Sequence, residues 1–189
     1  MIGSVASSVV AIVVVVAAPV LFGQKPVTSG PLFVDYQPVP NSLSGLVKSA
    51  DAVVRATVTG AQNNVKSEHG RFYATTDYSV AVSEIVKGIS GLGVGMSITV
   101  VREGGDVDLG DKINRSFDPS FAQFKVGEQY LLFVHWNPSL SRFQVQWGPD
   151  GAFRISSGIV EAMGHAETSG QLHGQRLVDV LRSLRANIG

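Results

Sequence analysis

The chain has 189 residues, 15 Lys and Arg against 15 Asp and Glu, no cysteine, and 44% hydrophobic side chains. The charge tie excludes a basic polyelectrolyte that neutralises nucleic-acid phosphates, and equally an acidic disordered tail. The absence of cysteine excludes disulfide scaffolds, thiolate metal sites, thiol nucleophiles and cysteine-linked lipids. At about 150 residues per domain, the length suits one neutral globular domain with attachments.

The first charged residue is Lys25, and within the uncharged head Val9–Phe22 is an unbroken apolar run of 14 residues. The run matches the apolar region of a secretory signal and falls short of the roughly 20 residues that span a bilayer core of about 30 Å. Pro19 breaks a helix near its end, and Gly23 is a small residue at a cleavage boundary. Against a signal, Leu21 is larger than ideal and no Lys or Arg precedes the run. Residues 1–23 are therefore read as a cleaved signal or a retained membrane anchor, with a buried strand of a cytoplasmic protein as the third reading. Either of the first two exports the domain, and export without cysteine favours a secreted, periplasmic or envelope protein of bacterial type. Only the retained anchor makes the membrane a partner.

Residues 24–41 hold Pro26, Pro31, Pro38 and Pro40, a composition that stays extended and reads as a linker. Ser42 then suits the N-cap of a short helix, with Leu43, Leu46 and Val47 on one side. From Asp51 the hydrophobic period becomes two. Val54, Ala56 and Val58 alternate with Arg55, Thr57 and Thr59, and Tyr78, Val80 and Val82 with Ser79, Ala81 and Ser83. Met96, Ile98 and Val100 form a third alternating set. Tyr130–Trp136 is apolar on both faces and predicts a strand covered on both sides. Phe143, Val145 and Trp147 oppose Gln144 and Gln146 before a turn at 148–151, and Ala152–Ile155 is expected to complete that hairpin. At the end, Leu177, Leu181, Leu184 and Ile188 mark one stripe of an amphipathic helix that caps the sheet, with Arg182 and Arg185 suiting its C-terminal dipole.

Three segments resemble the netrin-like domain family, which includes the tissue inhibitors of metalloproteinases. Asp51-Ala-Val-Val-Arg55-Ala-Thr-Val is similar to that family's opening strand. Tyr78 through Glu84-Ile-Val-Lys87-Gly88 is similar to its second strand and Lys-Gly turn, and Val126-Gly127-Glu128-Gln129-Tyr130-Leu131 to the Gly-x-x-Tyr-Leu entry of a later strand. The resemblance implies a mainly β fold, a five-stranded OB-like barrel, closed or partly open, with a C-terminal amphipathic helix over 42–189. Inhibitors of that family bind the protease zinc through an N-terminal cysteine. This chain has none, so no residue inherits that role.

Glu103, Asp106, Asp108 and Asp111 offer oxygen ligands of the kind Ca²⁺ accepts. The EF-hand pattern fails, because the sixth place from Asp106 is Asp111 and the twelfth is Phe117, so a solvated turn-rich loop is the expected reading. His165, Glu167 and His173 have no recognised zinc spacing, and His135 is expected to be a hydrogen-bonded core histidine. No Gly-x-Ser-x-Gly elbow and no phosphate-cradling glycine loop occurs, so no catalytic residue and no cofactor are expected. Phe72 and Tyr73 before the second strand, and Trp136 at the end of the doubly covered one, are candidate ligand-stacking aromatics, with core packing as their ordinary role. The sequence thus points to an exported, non-enzymatic module that binds an extracellular protein or polysaccharide, through the loops at 60–70 and 103–125. A membrane-tethered envelope protein with a structural role is the alternative, and an exported hydrolase a remote one. Nucleic acid is not an expected partner.

Overall fold

In the computed structural model, residues 25–68 and 71–188 are described, with the side chains of 66–68 and 71–73 left aside. The expected export segment at 1–23 lies outside the described residues, and among those described no helix is long and apolar enough to cross a membrane.

The period-two segments become the inner surface of one curled sheet. Strands β2 (Ala52–Glu68), β3 (Arg71–Lys87) and β4 (Ser97–Glu103) form an antiparallel meander. Strand β7 (Gln129–Asn137) pairs antiparallel with β2, and β8 (Arg142–Val145) pairs with β7 and, in parallel, with β4. The pairing circuit β2-β3-β4-β8-β7 returns to β2, closing a barrel unevenly. Its weak seam is β4 to β8, only Val100↔Phe143 and Val101↔Gln144. The Arg142–Asp77 ion pair, 2.7 Å, joins β8 to β3 across that seam.

Alternation places Val54, Ala56, Val58, Tyr78, Val80, Val82, Ile98 and Val100 in one buried cluster with Tyr130, Leu132, Val134, Phe143 and Val145. Phe121 and Phe124, from the connection after β6 (Ile113–Phe117), enter the same core. Phe124 lies 5.1 Å from the Tyr78 ring and 4.7 Å from the Tyr130 ring, within the range of favourable aromatic pairs.

A second core lies outside the barrel wall. Helix α1 (Leu43–Ser49) contributes Leu46 and Val47, and helix α3 (Leu177–Arg185), which follows the short α2 (Glu167–Gly170), contributes Leu177, Val180, Leu181 and Leu184. They pack against Leu131 and Phe133 of β7 and against Phe153 of β9 (Ala152–Ser156). Strand β7 is therefore buried on both faces, as its continuous apolar run predicts. Helix α3 covers the side of the sheet rather than an open end, and it stops at Arg185, which leaves Ile188 exposed beyond it.

Other expectations need correction. Strand β9 does not complete a hairpin with β8. Both pair with the same edge of β7, β8 along 134–137 and β9 along 129–132, with a 3-10 turn (Gly148–Gly151) between them. The hairpin partner of β9 is β10 (Ile159–Ala162). The expected loop at 60–70 is largely strand, since β2 and β3 continue their pairing out to Glu68↔Arg71 as an arm beyond the barrel. The expected loop at 103–125 holds β5 (Gly105–Asp108) and β6, which form a second sheet with β1 (Val27–Pro31). The proline-rich stretch is extended, as its composition predicts, but lies along the domain: β1 pairs in parallel with β6, and the Pro40 carbonyl accepts the Thr168 hydroxyl at 2.8 Å.

The Ser42 Oγ accepts from the Gly45 N–H at 3.1 Å, the N-cap that the sequence suggests. The other end of α1 is closed from a distance. Lys87 Nζ donates to the carbonyls of Val47 (2.9 Å), Lys48 (2.9 Å) and Ala50 (2.5 Å), so one ammonium satisfies the last turn and complements its dipole. Replacing this cation by an apolar chain leaves those carbonyls unmatched. Lys87→Met is expected to lower stability by about 1–3 kcal/mol in urea unfolding, with a smaller loss for Lys87→Arg.

Candidate functional site

The strap formed by residues 32–41 crosses the outside of the barrel near its weak seam. Tyr36 anchors it: its hydroxyl donates to Asp118 Oδ2 at 2.5 Å, and its ring meets Phe121 edge-on at 6.4 Å. The ring passes so close to Gly148 that a Cβ there would sit 2.4 Å from Tyr36 Cε1, and Gly148 also has φ +59. Glycine is required on both counts.

Asp118 is a hub for this anchor. Its other oxygen, Oδ1, accepts the Ser120 N–H at 2.8 Å and the Ser120 hydroxyl at 2.6 Å. Burial works against its charge, but the hydrogen bonds from Ser120 and Tyr36 and the nearby Arg102 cation outweigh it and hold the carboxyl below its ordinary pKa. The same contact, together with burial as the larger cause, raises the Tyr36 phenol above its usual range.

Arg102 is a charged residue of the barrel interior, 6% exposed. It continues the inward set Ile98, Val100 on β4 and lies over the Phe121 ring, 3.6 Å from its centroid. Nη1 donates to the Ala122 carbonyl at 2.8 Å and Nη2 to the Phe121 carbonyl at 2.6 Å, while Nε is buried without a partner among the described residues. Burial lowers its pKa, and Tyr78, Tyr36 and Asp118 nearby partly offset that effect.

Between strap and barrel lies a half-open cavity of about 290 Å³. The strap gives Asp35, Tyr36 and Gln37, and the barrel gives Arg102, Glu103, His135, Gln144, Gln146 and Trp147. His135 Nε2 lies 3.1 Å from Gln144 Oε1, which also accepts Asn137 Nδ2 at 2.9 Å. Its Nδ1 is buried without a partner among the described residues. So is Gln146 Oε1. His135 is thus half-buried and hydrogen-bonded on one side only.

A separate apolar cleft, about 330 Å³, lies at the opposite face of the β7–β8 hairpin. Trp136, 40% exposed, stands edge-on to Phe143 at 5.1 Å beside Ile89, Leu92, Met96 and Ile98. Its backbone N–H is fixed by Asp51 Oδ2 at 2.8 Å. The other two candidate aromatics are placed only by backbone register, Phe72 opposite Ser67 and Tyr73 opposite Lys66; their side chains lie outside the described residues.

Of the acidic candidates, Asp106 and Asp108 sit in the small sheet and are held by cations, while Glu103 ends β4. Arg115 holds Asp106 with two bonds of 2.7 Å, and Lys25 holds Asp108 at 2.6 and 2.8 Å. The Arg115 hydrogen bonds lower the Asp106 pKa, and those from Lys25 and the Gly110 N–H lower that of Asp108. Asp111 is exposed in the turn between β5 and β6. His165 and His173 are exposed, and His173 Nδ1 accepts the Ala162 N–H at 3.2 Å. Among the described residues, no three His, Asp or Glu side chains gather to hold a metal ion.

Sequence reasoning missed Tyr36, Arg102, Asp118 and Gln146. A signal existed for Arg102, a charge on the inward phase of an alternating strand. The Tyr36–Asp118 contact spans 82 positions in the chain, and no local pattern carries it.

Because Asp118 is held below the ordinary carboxylate value of about 3.9, its contribution is present above pH 4 and lost as pH falls through its folded pKa. Asp118→Asn is expected to flatten the acid limb of a stability–pH profile below about pH 4, and to cost about 1 kcal/mol at pH 7. An acid limb as steep as that of the unaltered chain would show that another carboxylate governs it.

No protein-family model matches the chain, and no curated protein matches it.

Proposed function

We propose that this chain is an exported, non-enzymatic binding module built on an OB-type barrel of the netrin-like kind, and that it engages an extracellular protein or polysaccharide. The five-strand circuit, antiparallel except at one short seam, suits the partly open Greek-key barrel of OB folds. Lys87 of the Lys-Gly turn supports the resemblance further by tying the second circuit strand to α1. The non-catalytic part of the reading rests on the sequence, which pairs no activated nucleophile with a base. The export part rests on the apolar head.

One observation carries the binding reading: Trp136 stands part-exposed in an apolar cleft at the hairpin joining the fourth and fifth circuit strands. OB folds present ligands to that loop, and a large aromatic there supplies contact area at little entropic cost. Packing against Phe143 alone would not require an exposed indole.

The test is capture of the full chain on arrays of glycans and extracellular proteins. A saturable partner is expected, and Trp136→Ala is expected to weaken it by about tenfold or more without lowering the melting temperature by more than a few degrees. Absence of any saturable partner, or a partner indifferent to Trp136→Ala, would sink the reading.

A further inference from the structure

The arm carries an unpaired strand edge. Strand β2 pairs with β7 only as far as Thr57, and Val58 closes that ladder, donating to the Glu128 carbonyl and accepting the Gly127 N–H. Beyond a bulge at Thr59, β2 continues with β3 alone. Alternation decides which groups are left over. The Ala74 carbonyl accepts the Gly104 N–H at 2.8 Å, and the Val82 N–H donates to the Met96 carbonyl at 2.9 Å, so the even residues of β3 in this stretch serve β4. The odd ones, Thr75, Asp77 and Ser79, serve Asn64, Gln62 and Gly60. The backbone N–H and carbonyl groups of Ala61, Asn63 and Val65 therefore point outward, and among the described residues they meet no partner. All three residues are exposed, Val65 by 50%.

An edge of this kind is a template for another strand, and proteins blunt it with charge, proline or a covering segment. Edges elsewhere in the molecule show those devices. Strand β5 carries Asp106 and Asp108, β1 follows Pro26 and ends on Pro31, and β10 is bonded along its edge by Gly174 and Gln175. From Thr59 to Val65 the arm has neither a charge nor a proline. Two copies of it can lie side by side with no like charges opposed.

Placed antiparallel about a two-fold axis at Asn63, the edge is complementary to itself. Asn63 faces Asn63 of the copy, and Ala61 faces Val65, small against large; each such pair exchanges both of its N–H···O bonds. Alternation sets Ala61, Asn63 and Val65 on one face, where Ala61 and Asn63 line a cavity of about 490 Å³ with Tyr78, Phe117 and Phe124. Val65 of the copy arrives beside Ala61 at the rim of that cavity, which covers a side chain the single chain leaves exposed. A foreign strand would satisfy the same backbone groups, but this match of side chains belongs to the chain's own sequence.

We propose that the chain dimerises by pairing the Ala61–Val65 edge with the same edge of a second copy, antiparallel and centred on Asn63, so that one sheet runs through two barrels. This surface shares no residue with the Trp136 cleft, and the dimer presents two such clefts.

Sedimentation equilibrium of the full chain across micromolar concentrations, with residue-resolved amide exchange, tests this. A monomer–dimer equilibrium is expected, and the amides of Ala61, Asn63 and Val65 should slow as the dimer fills. Val65→Lys is expected to weaken the dimer by about tenfold or more, with the melting temperature of the monomer changed by no more than a few degrees. Because the chain has no cysteine, single cysteines report the register. Across the two-fold pair the Cα atoms of position 63 lie about 5.5 Å apart, within disulfide reach, so Asn63→Cys should cross-link on mild oxidation. Ala61→Cys and Val65→Cys stand about 14 Å from their own copies and should not. Should Asn63→Cys fail to fold, the amides of the unaltered chain and the Val65→Lys dimer still decide. Four results overturn the proposal: a monomer at every concentration, a dimer indifferent to Val65→Lys (as association through the apolar run Val9–Phe22 would be), cross-linking at 61 or 65 as ready as at 63, or arm amides that slow only when a different protein is added.

Discussion

Strand β7 is the constraint on which the rest of the molecule depends. One edge pairs with β2, and the other is shared between β8 and β9. Its inward residues Tyr130, Leu132 and Val134 complete the barrel core, while Leu131 and Phe133 form the floor beneath α1 and α3. All of Tyr130–Val134 is at most 1% exposed. A strand used on both faces and both edges admits no register slip, because a shift of one residue would exchange the two cores and break three ladders at once. At about 1.5–3 kcal/mol for each large side chain buried, five such positions are a large share of a domain's net stability.

The functional surfaces hang on the far end of that strand. Beyond Val134 the two faces of β7 diverge: His135 turns to the strap cavity and Trp136 to the apolar cleft. The hairpin with β8 continues the division, Gln144 and Gln146 lining the cavity and Phe143 the cleft. Alternation along a half-buried strand, the same physics that builds the barrel, therefore sets a polar site and an apolar one back to back. His135, Trp136, Phe143 and Gln144 are set by strands, which is the arrangement that holds binding groups most closely.

What the sequence made legible follows from this physics. Val54, Ala56, Val58, Tyr78, Val80 and Val82 carry a strong period-two signal because one face is dry, whereas Leu132 and Val134 belong to a continuous apolar run, and all of them lie in the barrel core. Ser42 is a local cap and is legible for the same reason. The strands that escaped are those without a dry face: Val27–Pro31 is mostly exposed, Ile113–Phe117 reads INRSF, and the arm at 60–65 is largely polar. Ile159–Ala162 is short and half-buried, and its identity depends on pairing with β9. The site is less legible than the fold. Trp136 was recognisable as an aromatic at a strand end, and Gln144 and Gln146 as an outward pair. That the outward pair is roofed by Tyr36, from more than 100 positions earlier, is a tertiary fact with no local signature.

Native-state amide hydrogen exchange tests most directly whether both cores depend on β7. The account predicts that the amides of Leu131–Val134 exchange only through global unfolding, with protection equal to the full stability, while those of β1 and β10 exchange through smaller local openings. Leu131–Val134 exchanging as fast as β1 or β10, or losing protection while β3 and β4 keep theirs, would contradict it.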